Sequence, residues 1–169
     1  EIHEVDLNNI PEEVKILSPY DEYPSLVDRE LVLQNSRVII EYLDERFPHP
    51  PLLPVDPISR AKFRLALNEI EHSWYTKYAE AYNDEVLDDK FVTEIKTYFL
   101  EIAPLIKRKF FMSDDFGLVD CSIAPLLWRL KSLDFDLAEN NKVIGDYSER
   151  IFEREAFQDS LTETEKELF

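Results

Sequence analysis

Residues 47–57 read FPHPPLLPVDP, so that five of the eleven positions are proline. Proline fixes the backbone angle φ and has no N–H group to donate, which excludes the segment from helix interiors and from central strands. The composition therefore predicts a stiff, extended connector. We place the linker between two domains at residues 48–57, with the domains at residues 1–47 and 58–169.

Before the connector, short strands alternate with helices. The stretch EIHEVDL at residues 1–7 has the alternation typical of a strand, and residues 10–17 predict a short helix with a proline in its first turn. Two brief apolar runs at residues 25–27 and 31–33 are separated by Asp-Arg-Glu. This pattern predicts a β-hairpin.

A second helix is predicted directly before the connector. Ser36 is expected to cap it, because a side-chain hydroxyl can accept from the first free backbone N–H groups, and the helix should run to about Arg46. Ile39, Leu43 and Phe47 recur at a spacing of four, which predicts that they form its buried stripe.

After the connector, the sequence predicts helices throughout. Asp56 is expected to cap the first of them, with Pro57 at its first position. Apolar residues spaced by three or four predict a long helix from about residue 58 to residue 82 and another from residue 91 to about residue 104.

Residues 118–130 are apolar on nearly all sides, which is typical of a helix buried in the middle of a bundle. Cys121 on this helix is expected to be an inert core thiol. A further helix is predicted around residues 144–151, and the TETE sequence at residues 162–165 is a capping-box pattern.

The chain of 169 residues is strongly acidic, with 36 Asp and Glu against 19 Lys and Arg and a net charge of −17. Nucleic acids and anionic membranes are bound through lysine and arginine, so both are poor partner classes for this chain. Hydrophobic residues make up 44% of it, enough for a packed core. A basic protein surface is the favoured partner.

Cys121 is the single cysteine, which excludes an intramolecular disulfide and any Cys-rich zinc or iron–sulfur site, and the three scattered histidines offer little else for a metal. A reducing, cytoplasmic setting fits this composition. No apolar run is long enough to span a bilayer. Because the chain opens at Glu1 rather than at methionine, in a stretch that looks like a strand, we expect an N-terminal piece to be missing.

A small α/β domain, a proline-rich linker and a helical domain together resemble the glutathione-transferase fold. Tyr23-Pro24 before a strand is similar to the cis-proline step of that family, and Asn35-Ser36 is similar to its Glu/Gln-Ser glutathione signature. The stretch 116–120 resembles the motif that caps the central helix. The fold class implied is an incomplete thioredoxin-like N-terminal domain plus an all-α C-terminal domain.

Longer stretches resemble the stringent starvation protein A family, the RNA-polymerase-associated regulators of bacteria. They are LVDREL at 26–31, YLDERFPHPPL at 42–52, LVDC at 118–121, APLLWRL at 124–130 and FEREAF at 152–157. In this family's fold an N-terminal strand and helix would precede residue 1. The resemblance implies a homodimer that binds polymerase holoenzyme or its sigma factor and changes promoter use under starvation or acid stress, without catalysis.

The resemblance implies that the glutathione-site positions Tyr23, Pro24, Asn35 and Ser36 are vestigial. Asn35 replaces the Glu or Gln of the signature, and the thiol-stabilising residue of the fold would lie in the missing segment. We expect no catalytic residue and no cofactor, glutathione being possible but not expected. The alternative is a glutathione-dependent transferase or peroxidase whose catalytic residue lies in that segment.

For the linker, the resemblance implies a surface-exposed, partner-binding pocket at Pro48, His49, Pro50, Pro51 and Leu52. A proline-stiffened loop has little conformational entropy left to lose on binding, which favours recognition. The alternative is a rigid domain connector. Asp120, in the helix-capping motif, and Trp128 are expected to be structural.

Overall fold

The computed structural model describes residues 2–6, 9–18, 23–81, 89–106, 108–132 and 135–167. It divides into two compact units, Glu1–Pro51 and Leu52–Phe169.

The described residues of the first unit form two strands and two helices. In chain order they are α1 (Glu12–Leu17), β1 (Ser25–Asp28), β2 (Leu31–Gln34) and α2 (Ser36–Arg46). The strands are antiparallel, with Leu26 opposite Leu33 and Val27 opposite Val32. This is the predicted hairpin.

Residues 2–6, predicted to belong to a strand over 1–7, carry no regular secondary structure, and residues 1 and 7 lie outside the described residues. An extended segment forms a strand only where a neighbour supplies ladder hydrogen bonds. In the part of the unit that the structure describes, the sheet has two strands, β1 and β2.

Two predictions about α2 were wrong. Asn35, not Ser36, caps the helix: its Oδ1 accepts from the N–H of Arg37 (3.1 Å) and of Val38 (3.3 Å). Asn35 has a φ of 73°, a left-handed conformation that asparagine tolerates better than most residues. It therefore both ends the hairpin and starts the helix.

The expected buried stripe of α2 is also displaced. Ile39 is buried, but Leu43 is 37% exposed and Phe47 is 66% exposed. The reason is that Tyr42 and Arg46, rather than their neighbours, contact the hairpin. The face of α2 directed at the sheet thus contains positions 39, 42 and 46. Their spacing of three and four residues fits a helix as well as the predicted spacing of four does.

Across its described residues, the regular secondary structure of the second unit is helical. Its α-helices are α3 (Pro57–Glu69), α4 (Thr76–Ala81), α5 (Asp89–Ile102), α6 (Leu118–Ser132), α7 (Leu137–Asn140), α8 (Lys142–Phe152), α9 (Glu155–Ser160) and α10 (Glu163–Lys166). A π-helical segment, Ile70–Tyr75, joins α3 to α4, and a 3₁₀ segment, Ala103–Ile106, follows α5.

The predicted long helix is continuous from Pro57 to Ala81, and residue 82 lies outside the described residues. Asp56 caps it as expected, with its Oδ1 accepting from the Ser59 N–H at 2.9 Å. The π-helical segment in its middle was not predicted. Phe63, Leu67, Ile70 and Trp74 are buried along one face.

The helix α6 lies in the core of the second unit. Val119, Ile123, Leu126, Leu127 and Leu130 have no exposed surface, which confirms the central buried helix. Cys121, expected in the core, is only half-buried because it falls on the side of α6 away from these residues.

The other predicted helices are present as well. Ile144, Tyr147 and Ile151 are fully buried on α8, and Thr162 forms a capping box with Glu165 at α10. At Gly145 of α8, an added Cβ would lie 2.6 Å from the Cα of Ala138, so α7 and α8 pack directly backbone to backbone. The short helices α7 and α9 were not predicted.

Tyr75, at the end of the π-helical segment, provides a test of this packing. Its hydroxyl donates to the backbone carbonyl of Ser122 on α6 at 2.8 Å, and burial raises the pKa of Tyr75 to about 12. Between the ordinary tyrosine pKa of about 10 and this value, the folded chain keeps a proton that the unfolded chain loses. The free energy of unfolding should therefore fall as pH rises through this window.

We expect ultraviolet titration of the phenols to show Tyr75 ionising late and Tyr75→Phe to remove one late-titrating group. Between pH 10 and 12, the free energy of unfolding should also fall less in the variant than in the wild type. The same titration curve for wild type and variant above pH 10 would contradict the conclusion that the Tyr75 hydroxyl is buried.

Candidate functional site

The start of α6 fixes the end of the proline-rich connector. The carbonyl of Leu52 accepts from the Leu118 N–H at 3.0 Å, and Leu53 is only 2% exposed. A Cβ at position 117 would lie 2.9 Å from the same carbonyl, closer than real Cβ atoms come. Gly117 is thus required for this contact, and residues 52–53 are anchored.

The four residues before this anchor are exposed. Pro48, His49, Pro50 and Pro51 all have solvent-accessible side chains, while Leu52 is half-buried. The His49 N–H donates to the Phe47 carbonyl at 2.9 Å, and the His49–Pro50 peptide is cis. We call residues 48–52 the proline loop. Its backbone is restricted by its own prolines, so its side chains are held ready for contact.

Phe47 extends the exposed apolar surface next to the proline loop. The sequence predicted it to be buried, but two thirds of it is accessible, and the Arg46 guanidinium lies 5.2 Å from its ring centroid. An aromatic residue next to a proline run is the signal by which it could have been identified as part of the surface.

Asp120 is the buried polar centre of the second unit, with no exposed surface. Its Oδ1 accepts from the Phe111 N–H at 3.0 Å and from the Tyr147 hydroxyl at 2.6 Å. Its Oδ2 accepts from the Gly117 N–H at 2.7 Å. Burial raises the pKa of Asp120 above its ordinary value, and these hydrogen bonds oppose that rise.

Trp128, also expected to be structural, is buried on α6. Its ring lies edge-on to Phe152 at 4.9 Å and to Phe157 at 5.3 Å between centroids. Its indole N–H donates to the carbonyl of Glu165 at 3.3 Å. Trp128 thereby holds the C-terminal helices against α6.

The four positions that resemble a glutathione site lie at one end of the hairpin. Tyr23–Pro24 is a cis peptide directly before β1, and Asn35 and Ser36 follow β2. Because Ser25 is paired with Gln34, the two dipeptides are brought together by the strand register. The structure therefore assembles these positions in space.

The chemistry at this end of the hairpin is less favourable to glutathione. A carboxylate would be held there by the free N–H groups at the start of α2. The Asn35 side chain already accepts from two of them, those of Arg37 and Val38. Ser36 is exposed and remains available as a hydroxyl donor.

A group of ionisable side chains joins β1 to α2. The Tyr42 hydroxyl donates to Oδ2 of Asp28 at 2.6 Å, and the Arg46 Nε lies 3.7 Å from the same oxygen. The hydrogen bond from Tyr42 lowers the pKa of Asp28 and raises the pKa of Tyr42. These groups position α2 and were not identified from the sequence.

A cavity of about 400 Å³ opens between the end of α6 and the helices α7 and α8. Its walls include Phe135, Ser148 and Phe152, and Lys131 and Glu149 also line it. The Ser148 hydroxyl donates to the Gly145 carbonyl at 2.8 Å, so this buried polar group is satisfied within α8.

Within the described ranges, His, Cys, Asp and Glu side chains form no group of three or more that could hold a metal ion. No helix among these residues combines the length and apolar character needed to cross a membrane.

Two family models match the chain. The N-terminal domain of glutathione S-transferase matches residues 1–51, and the C-terminal domain of glutathione S-transferase matches residues 55–155.

Curated relatives cover nearly the whole chain. A stringent starvation protein A homolog of Haemophilus influenzae is 49% identical over 163 residues, covering 95% of this chain and 77% of the relative. The homolog of Coxiella burnetii is 46% identical, covering 99% of this chain and 82% of the relative.

Solved structures show the same fold. Glutathione transferase Omega 3C from Trametes versicolor has a TM-score of 0.83 at 17% identity, covering 95% of this chain and 76% of that one. Rice GST1 in complex with glutathione has a TM-score of 0.83 at 21% identity, covering 99% and 81%. The predicted fold class and family resemblance are confirmed.

The hydrogen bonds of Asp120 predict a large effect of its removal. Asp120→Ala leaves three donors without their acceptor, and each unsatisfied buried group costs about 1–3 kcal/mol. We expect urea unfolding to show a loss of at least about 3 kcal/mol. Asp115→Ala, at an exposed acidic position in the preceding turn, is the matched control and should stay within about 0.5 kcal/mol of wild type. Equal stability of the two variants would contradict the role of Asp120.

Proposed function

The chain belongs to the stringent starvation protein A family, and on this premise we propose that it is a non-catalytic adaptor of bacterial transcription. It binds RNA polymerase holoenzyme, at the core enzyme or its sigma factor, and changes promoter use during starvation or acid stress. The proline loop is its contact surface.

The observation that carries this proposal is the contrast within the proline loop. Residues 48–51 are exposed, whereas the chain directly after them is anchored by the Leu52 carbonyl and the buried Leu53. A rigid connector alone would not require an imidazole flanked by exposed prolines. A stiff loop of this kind binds a partner groove at a small cost in conformational entropy.

The charge of the chain supports a protein partner. A net charge of −17 disfavours direct contact with promoter DNA and favours encounter with basic protein surfaces. An acidic adaptor can act at a promoter while the polymerase supplies the contacts with DNA.

We also propose that the chain forms a homodimer in which a second copy covers part of α2. Leu43 on α2 is 37% exposed, and Phe47, the residue that follows the helix, is 66% exposed. They lie four positions apart, and exposed apolar side chains of this kind are a common feature of interfaces between copies.

A glutathione-dependent transferase or peroxidase is the second candidate function. The cis Tyr23–Pro24 peptide and its position beside Asn35 and Ser36 favour it, and the capping of α2 by the Asn35 side chain opposes it.

Calorimetric titration of the natural full-length protein with glutathione separates the two functions. The adaptor predicts no measurable heat of binding. Binding with a dissociation constant between micromolar and millimolar would favour the enzyme instead.

The proline loop can be tested by the double variant Pro48→Ala, His49→Ala. We expect its affinity for polymerase holoenzyme in a quantitative pull-down to fall roughly tenfold or more, because residues at the centre of an interface carry most of the binding energy. Thermal unfolding and the mass measured by light scattering should not change, since both side chains are exposed.

The matched control is Val55→Ala with Ile58→Ala. These positions follow the proline loop and are 85% and 71% exposed. They should leave polymerase binding intact. Undiminished binding of the loop variant would assign the contact surface elsewhere.

The electrostatic part of the proposal predicts a salt dependence. The Debye length shortens from about 30 Å at 0.01 M salt to about 8 Å at 0.15 M, so steering between opposite charges weakens. The association rate with polymerase, measured by surface plasmon resonance, should fall over this range. A constant rate would exclude steering by the acidic surface.

A further inference from the structure

Arg154 lies on an aromatic platform in the second unit. Its guanidinium carbon is 3.9 Å from the ring centroid of Phe116 and 5.7 Å from that of Phe110. The two rings contact each other edge-on, at 5.4 Å and 86°. Stacking on the face of Phe116 fixes the plane of the guanidinium before any partner arrives.

The hydrogen-bond donors of this guanidinium are unused by the described part of the chain. Arginine has five N–H donors in its head group. Among the described residues, none accepts a hydrogen bond from the Arg154 side chain, and no carboxylate lies within 4.0 Å of it. The side chain is half-buried, so its donors face only a limited region of solvent.

Arg150 and Lys109 contact each other in the same region of the second unit. The Arg150 Nη1 donates to the backbone carbonyl of Lys109, the residue before Phe110, at 2.7 Å. Within the described ranges, Arg150 and Lys109 also have no carboxylate within 4.0 Å. Arg108 differs, because it pairs with Asp114 at 3.4 Å.

We propose that Arg154 on its aromatic platform, here called the arginine site, binds a carboxylate side chain of a partner protein. A planar guanidinium donates two parallel hydrogen bonds to a carboxylate, and stacking leaves that edge of Arg154 free. The partner is an acidic protein segment, and the site would act independently of the proline loop.

The charges around the arginine site select this ligand over a nucleic acid. Glu149, Glu153 and Glu155 are exposed on α8, after it and on α9. Together with the net charge of −17, they repel an extended polyanion. A single carboxylate can reach the guanidinium without bringing further negative charge against these glutamates.

The probe for the test is a short, capped alanine peptide with a single central glutamate, and its control is the same peptide with glutamine in place of that glutamate. At low ionic strength, NMR titration should shift the side-chain N–H signals of Arg154 with the glutamate peptide alone. Arg154→Lys keeps the charge but loses the fork and the stacking, and should weaken binding roughly tenfold.

Arg108→Lys is the matched control, because Arg108 is exposed in the same turn but already paired with Asp114. It should bind the glutamate peptide like wild type. The ratio of the affinities for the glutamate and glutamine peptides is measured on the wild-type protein. It therefore tests carboxylate binding even if Arg154→Lys lowers the melting temperature.

Three results would overturn the proposal. The first is equal binding of the two peptides, and the second is unchanged binding of the glutamate peptide by Arg154→Lys. The third is a competition result: a single-stranded oligonucleotide or inorganic phosphate displaces labelled glutamate peptide at a lower concentration than the unlabelled glutamate peptide does.

Discussion

The carboxylate of Asp120 is the constraint on which the second unit depends. Burying an ionised group is costly unless its hydrogen bonds are replaced, and here a turn, a helix start and the helix α8 each supply one donor. These donors come from Phe111, Gly117 and Tyr147. Because Gly117 also lies against the Leu52 carbonyl, the same carboxylate fixes the place where the proline loop is anchored. The turn that carries Lys109 and Phe110 is tied to α6 through Phe111.

Features with a local physical cause could be predicted from the sequence. The hairpin, the Asp56 cap, the capping box at Thr162 and the buried character of α6 each depend on residues a few positions apart. The direction in which α2 faces could not be predicted, because two helical stripes fit its sequence equally well. A hydrogen bond from Tyr42 to Asp28 on the hairpin decides between them. The π-helical segment likewise has no local signal in its residues.

The same distinction separates the two candidate surfaces. The proline loop is visible in composition alone, since its stiffness comes from its own prolines. The arginine site is not, because Phe116 and Arg154 are far apart in the sequence and meet only after α6 and α8 have packed. Phe47 shows the converse: an apolar residue at a helical spacing was assigned to the core, whereas the tertiary structure leaves it accessible.

The two glycines have a consequence for how this chain can vary. Neither has a positive φ, and each lies where another backbone comes too close for a side chain. In the part of the chain that the structure describes, the left-handed positions are instead held by Arg29, Asn35 and Met112. In this fold, glycine therefore allows two backbone segments to approach closely. The strained backbone conformations with positive φ are adopted by residues that have side chains. Positions 117 and 145 therefore do not tolerate a residue with a side chain. Positions 29 and 112 do tolerate substitution by glycine, which would relieve backbone strain there.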